Sequence, residues 1–170
     1  MADATIIVYI NGYWNDHDKQ DIPDHSGLFF VYESKVNSID NTIDLLRLLY
    51  IGEAENIRNR IMSHEKYSVW LKSLNPGNEL CYSAGLVEEP FRHRVEAAYI
   101  FCEKPALNDS HPYSFNFDRT TLITMGKTAL LRSIISLRKN QSDNEYFSPS
   151  LFQGDPIPVR AIHTKSFPGK

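Results

Sequence analysis

Cysteine is scarce: Cys81 and Cys102 are the two in 170 residues, far apart and without paired metal ligands around them. One disulfide is arithmetically allowed, yet nothing else in the chain points to an oxidising compartment. Long apolar runs are missing as well. The opening stretch MADATIIVYINGYWND has no basic leader, and its apolar run of roughly ten residues or fewer is too short for a signal peptide or a membrane span. The expected location is therefore cytoplasmic, with no membrane contact. There is no internal repeat and no low-complexity tract. Strong charge of one sign is also absent, since 18 Lys+Arg against 21 Asp+Glu leave a formal −3. That balance excludes a molecule-wide electropositive clamp, so a nucleic-acid ligand requires a local basic patch. The length fits one domain over residues 1–170.

Several familiar chemistries fail for want of one residue. Gly126-Lys127-Thr128 has the end of a phosphate-binding loop, but the full pattern needs a glycine where Thr121 stands. The stretch is read instead as the capped start of a helix. Ser63-His64-Glu65-Lys66 has one histidine and lacks the second that a zinc-protease helix needs. No serine stands in a nucleophile elbow. No zinc finger, basic zipper or separate DNA-reading module is visible, so base specificity is not legible.

What is present reads as a small sheet with helices. Thr5 to Ile10 is β-branched and aromatic and runs into Asn11-Gly12, a strand followed by a turn. Residues 15–26 are charged and broken by Pro23, as in a surface loop. GLFFVYE from Gly27 is a second strand, with Phe29 and Val31 on one face and Leu28, Phe30 and Tyr32 on the other. A polar stretch, ESKVNSIDNTID, has the composition of a lid, a contact surface or a solvent loop. LLRLLYI, ending at Ile51, is apolar on both faces, which suits a covered strand. Asn56 to Lys66 has helical spacing, with Ile57 and Ile61 on one stripe and Asn56, Arg60 and His64 on another. ELCYSAGLV predicts a fourth strand. FRHRVEAAYIFCEK after Pro90 predicts an amphipathic helix that ends before Pro105. TTLITM predicts a short strand, and residues 126–140 predict a further helix around Leu130, Leu131, Ile134, Ile135 and Leu137. The Pro-, Ser- and Gly-rich end predicts an extended or fraying arm. The fold class is α+β, with a small, mainly antiparallel sheet flanked by helices.

One ordered set of residues goes beyond fold class. Gly27-Leu28-Phe29 opens a strand, and Tyr50-Ile51-Gly52 ends the next. Arg60 follows Gly52 by eight residues and His64 follows Arg60 by four. Glu96 lies in the next long helix, and Asn108 closes the stretch Pro105-Ala106-Leu107-Asn108. In this order and spacing the chain resembles the GIY-YIG nuclease domain over residues 27–108, with 1–26 and 109–170 as terminal elaborations. The first tripeptide departs from the pattern: phenylalanine, Phe29, stands where the family has tyrosine. Tyr32 has the opposite strand parity and cannot replace it without a bulge.

The resemblance implies a metal-dependent DNA endonuclease. By it, Glu96 is the metal ligand, for Mg²⁺ or Mn²⁺. Tyr50 is the base or orients the attacking water, Arg60 holds a phosphate oxygen, and His64 assists the proton transfer or the tyrosine. Gly27, Phe29, Gly52 and Asn108 support the site. The chemistry is coherent by itself. A phosphodiester is already anionic, so a hard cation and a guanidinium can both offset the charge that grows at phosphorus. A nearby cation and Arg60 are expected to favour the phenolate of Tyr50. Singly, each residue has an ordinary use: a sheet-edge aromatic, a solvated arginine, a surface histidine, a glutamate paired with Arg92 or Arg94. Glu53, Glu55 and Glu65 add negative charge around the site helix.

Residues 119–141 contain no acid and five bases: Arg119, Lys127, Arg132, Arg138 and Lys139. With Arg92 and Arg94 they compose a face for the DNA backbone, where contacts need charge rather than base identity. The plain alternative is a solvated basic helix face. A homodimer would let so small a nuclease cut both strands, though no residue pattern specifies one. The rival function is a non-catalytic relative that binds nucleic acid or a protein partner.

Overall fold

A computed structural model describes residues 2–40, 42–109, 114–142 and the backbone of 159–162. Its main sheet has seven strands: β1 (Ala4–Asn15), β2 (Gly27–Asn37), β3 (Thr42–Ala54), β4 (Glu79–Leu86), β6 (Thr120–Gly126), β7 (Ile134–Leu137) and β9 (Val159–Ile162). Their order is β7-β6-β1-β4-β2-β3-β9. Two short strands, β5 (Ser114–Phe115) and β8 (Gln141–Ser142), pair separately. The helices are α1 (Ile57–Met62), α2 (Tyr67–Ser73) and α3 (Arg92–Glu103), with a 3₁₀ turn at Asp16–Asp21. None of the described helices is long and apolar enough to cross a membrane.

The α+β class holds, but the sheet is mixed rather than antiparallel, because β1 and β6 run parallel from Ala4↔Thr120 to Ile10↔Gly126. β1 enters between β4 and β6, so the first and last parts of the chain are built into the same sheet as residues 27–108.

β2 is central and buried on both faces, which explains its unbroken apolar run. Its alternation is the one expected. Leu28, Phe30 and Tyr32 join Val8, Ile10 and Ile51 in a core capped by Val95, Ala98, Tyr99 and Cys102 of α3. Phe29 and Val31 face the opposite way, against Ile57 and Ile61 of α1 and Trp70 of α2. The sheet thus has α3 on one side and α1 and α2 on the other.

Four local expectations are corrected. Asn11-Gly12 is no turn: β1 continues through it, with an irregular register against β4 between Gly12 and Trp14. The loop after it contains the 3₁₀ turn, whose Asp16 accepts hydrogen bonds from Tyr82 and Tyr67, each at 2.7 Å. The polar stretch after Tyr32 is largely strand, with β2 and β3 paired as far as Asn37↔Thr42 and Ile39 at the tip 99% exposed. The helix expected over 126–140 is absent. Gly126 and Leu130 have φ of +83° and +62°, which break a right-handed helix. From Ile134 the period is two, with Ile135 and Leu137 buried and Ile134 and Ser136 exposed. The expected terminal arm lies outside the described residues except for β9, which pairs with β3.

Candidate functional site

The two tripeptides meet across the β2–β3 ladder, where Phe29 pairs with Gly52 and Val31 with Tyr50. Phe29 and Tyr50 stack with centroids 6.0 Å apart. A Cβ on Gly52 would lie 2.8 Å from Phe29 Cε1 and 3.0 Å from Tyr50 Cε1, so the missing side chain at 52 is what lets the two rings close over the strand. Gly52→Ala is therefore expected to cost about 1–3 kcal/mol of stability through overpacking. The smaller Phe29→Leu introduced beside it should recover part of that loss in urea denaturation, and an unaltered midpoint for Gly52→Ala would refute the crowding. Gly27 has a similar constraint, because a Cβ there would meet Leu86 Cα at 3.0 Å. Tyr32 lies on the other face, its hydroxyl 3.0 Å from Ser83 Oγ, and does not supply the phenol that Phe29 lacks.

Asn108 braces the Tyr50 strand. Its Oδ1 accepts from Ile51 N–H at 3.0 Å, and its Nδ2 donates to Ile51 C=O at 2.8 Å. One amide side chain thus satisfies both backbone groups of the residue between Tyr50 and Gly52.

Asn56 caps α1, its side chain accepting from Asn59 N–H at 2.9 Å. Arg60 lies in α1, but the helix ends at Met62, so His64 does not share its helix face as expected. His64 turns inward, its side chain fully buried. The imidazole packs edge-on to Tyr50 at 5.2 Å and Phe29 at 5.7 Å, and lies 4.4 Å from the Trp70 ring. Its Nδ1 accepts from Lys66 N–H at 3.1 Å, which places the hydrogen on Nε2. That Nε2 has no hydrogen-bond partner among the protein atoms and is enclosed by aromatic rings. Burial, followed by the Arg60 charge, pushes the His64 pKa down to about 4. His64 is thus a neutral wall behind Tyr50, out of reach of bulk-water protons.

Arg60 is forked onto Glu65, with Nη1 and Nη2 donating at 2.6 and 2.8 Å. The pairing holds the Glu65 carboxyl down at about 2. Tyr50 is half-buried. Desolvation and then the Glu96 charge raise its pKa, and Arg60 opposes them. Arg60 by itself therefore does not bring the Tyr50 phenol below its ordinary value.

Glu96 rises from α3 toward the end of β3, where its carboxylate accepts from the Glu53 backbone N–H. Desolvation, with the Glu53 charge second, pushes its pKa up to about 7. Glu53, His93 and Glu96 bring one ligand atom each within 4.8 Å of one another. Two carboxylates and an imidazole make a donor set that could hold a metal ion. Sequence reasoning singled out Glu96 alone. The i, i+3 placement of His93 and Glu96 was legible, but the approach of Glu53 from β3 was not.

The basic residues divide. Arg92 is 6% exposed and is held by Glu53, by Glu89 at 2.7 Å and by Ser26 Oγ at 2.9 Å. Arg94 is 0% exposed and donates to Thr120 Oγ1 and to the carbonyls of Ala2, Asp118 and Arg119. Neither guanidinium is a free DNA contact, because each is already used inside the fold. Arg132 is 3.6 Å from Glu103, and Lys139 is 3.7 Å from Asp118. Lys127 follows the Gly126 turn, its N–H donating to Ile10 C=O. Arg119 and Arg138 border adjoining grooves with Thr5, Thr121, Ser136 and Gln141. From β3 to β6 is four strand steps in the sheet order. That corresponds to roughly 20 Å at the usual strand spacing, a length of about six base pairs. Compared with known proteins, the chain matches no family model, no curated protein and no solved structure.

Proposed function

We propose that this protein is a divalent-metal-dependent endonuclease of GIY-YIG-like design that hydrolyses DNA phosphodiesters. The observation that carries the reading is the donor set: Glu53, His93 and Glu96 bring ligand atoms within 4.8 Å of one another, and Glu53 lies in the same strand, β3, as Tyr50. A divalent ion, Mg²⁺ or Mn²⁺, held at Glu96 would offset the charge that grows on the phosphoryl group. Arg60, once its fork leaves Glu65, matches two oxygens of a phosphate. Tyr50, protonated, hydrogen-bonds and orients the attacking water. His64 and Phe29 hold the Tyr50 ring, and Asn108 holds its strand. Arg119 and Arg138 supply backbone contacts away from the cut. Supercoiled plasmid incubated with Mg²⁺ or Mn²⁺, with and without chelator, tests the reading; no nicking on varied duplex substrates would overturn it.

The non-catalytic reading has one observation in its favour, the closed Arg60–Glu65 fork beside an unmodified Phe29. Glu65→Gln separates the two. If the fork restrains a catalytic arginine, releasing it should raise cleavage at limiting DNA by up to about fivefold, the value of one surface ion pair. DNA binding that rises with no cleavage in either protein would favour the non-catalytic form.

A further inference from the structure

Building on Glu96 as the metal-facing carboxylate, we propose that His93 and Glu53 complete a three-donor cation site, and that the imidazole makes it select Mn²⁺ over Mg²⁺. His93 and Glu96 are one turn apart on α3, and Glu53 meets them from the end of β3. The three donors therefore come from two packed elements rather than from one mobile loop. The oxygens of Glu53 are differentiated: Oε2 is taken by Arg92, and Oε1 lies 3.2 Å from His93 Nδ1. An ion placed among the three ligand atoms takes over the His93–Glu53 contact and leaves the Arg92 pairing in place. Charge supports the count. Glu53 and Glu89 pair with the single guanidinium of Arg92, and Glu96 adds a third carboxylate beside Glu53, so with all three ionised the group carries a formal −2 for a divalent ion to balance.

The donor types decide which ion. Mg²⁺ binds oxygen, holds its waters and gains little from a nitrogen ligand. Mn²⁺ tolerates mixed oxygen and imidazole donors and stands with the transition ions, which gain from nitrogen. His93 is 65% exposed, so it closes the site from the solvent side, and its replacement leaves the core untouched.

The experiment uses the full chain without DNA. Mn²⁺ binding is measured by EPR, and Mg²⁺ binding by its competition with Mn²⁺. Pulsed EPR then looks for ¹⁴N modulation from a directly bound imidazole. The unaltered protein should bind Mn²⁺ more tightly and show the modulation. His93→Gln should abolish it and weaken Mn²⁺ by at least about tenfold, the scale on which even outer groups act on metal affinity. Mg²⁺ affinity should stay within twofold. His93→Gln with unchanged modulation and an unchanged Mn²⁺/Mg²⁺ ratio would overturn the proposal, as would unaltered protein that binds no Mn²⁺. Nitrogen-coordinated Mn²⁺ in a protein that cuts no DNA would support the cation site while removing the nuclease reading.

Discussion

Glu96→Gln should abolish metal-dependent DNA cleavage and at the same time stabilise the fold above neutral pH. On the proposed function, the first effect follows from losing the charge that would face the cation; removal of a main electrostatic stabiliser costs about 10²-fold or more in rate. The second follows from linkage. The Glu96 carboxyl has its pKa raised from 4.5 to about 7, mainly by burial and then by the Glu53 charge. Between those values the folded protein holds a proton that the unfolded chain has released, so stability falls as pH rises through the window. The penalty is absent below about pH 4.5 and complete above about pH 7. Glutamine removes it, and a gain on the order of 2 kcal/mol at pH 8 is expected, with none at pH 4. Urea denaturation at the two pH values, together with a plasmid assay in Mn²⁺, reads both effects. A variant that is more stable at pH 8 yet still cleaves at the original rate would sink the catalytic assignment. His64 has the opposite sign: its pKa is lowered to about 4, so the stability it brings is lost as pH falls from 6.5 toward 4. In unaltered protein the two slopes oppose each other between pH 4.5 and 6.5, and Glu96→Gln should unmask the histidine slope.

The second large effect belongs to Arg94. Arg94→Met should destabilise the protein by at least about 3 kcal/mol, because it strands several buried acceptors at once. The acceptors are Thr120 Oγ1 and the carbonyls of Ala2, Asp118 and Arg119, which together tie α3 to the start of β1 and β6. By contrast, the double change Arg119→Gln, Arg138→Gln should leave the denaturation midpoint nearly unchanged. It should weaken binding to unrelated duplexes alike and lower the salt slope by about two. Thermal denaturation and a salt titration of DNA binding distinguish the cases. Arg94→Met with unchanged stability and a reduced salt slope would restore it as a surface DNA contact.

The contrast between Arg94 and Arg138 shows why single residues in this chain are hard to read. Both are arginines in basic stretches, and nothing local separates them. Burial does, and burial depends on which strand α3 crosses. The same holds for residues 126–140. Their apolar spacing admits a helix, but the register from Thr120↔Leu137 to Ile123↔Ile134 pairs the second half with β6. A short apolar run satisfies either period, and the neighbouring strand decides which one forms.

Local pattern by itself determined which residues of β2 share a face, with Phe29 and Val31 opposite Leu28, Phe30 and Tyr32, and the end of α3 before Pro105, because adjacent residues fix strand parity and helix ends. It also marked Asn108 as a support, through the resemblance. Tertiary structure decided the rest. It inserted β1 between β4 and β6 and made the sheet mixed. It ended α1 early, so that His64 turned from a helix face into an aromatic cage, and it carried Glu53 to His93 and Glu96. Those outcomes depend on contacts between residues tens of positions apart, whose free energy is gained only when the whole sheet closes, and no window of sequence contains both partners.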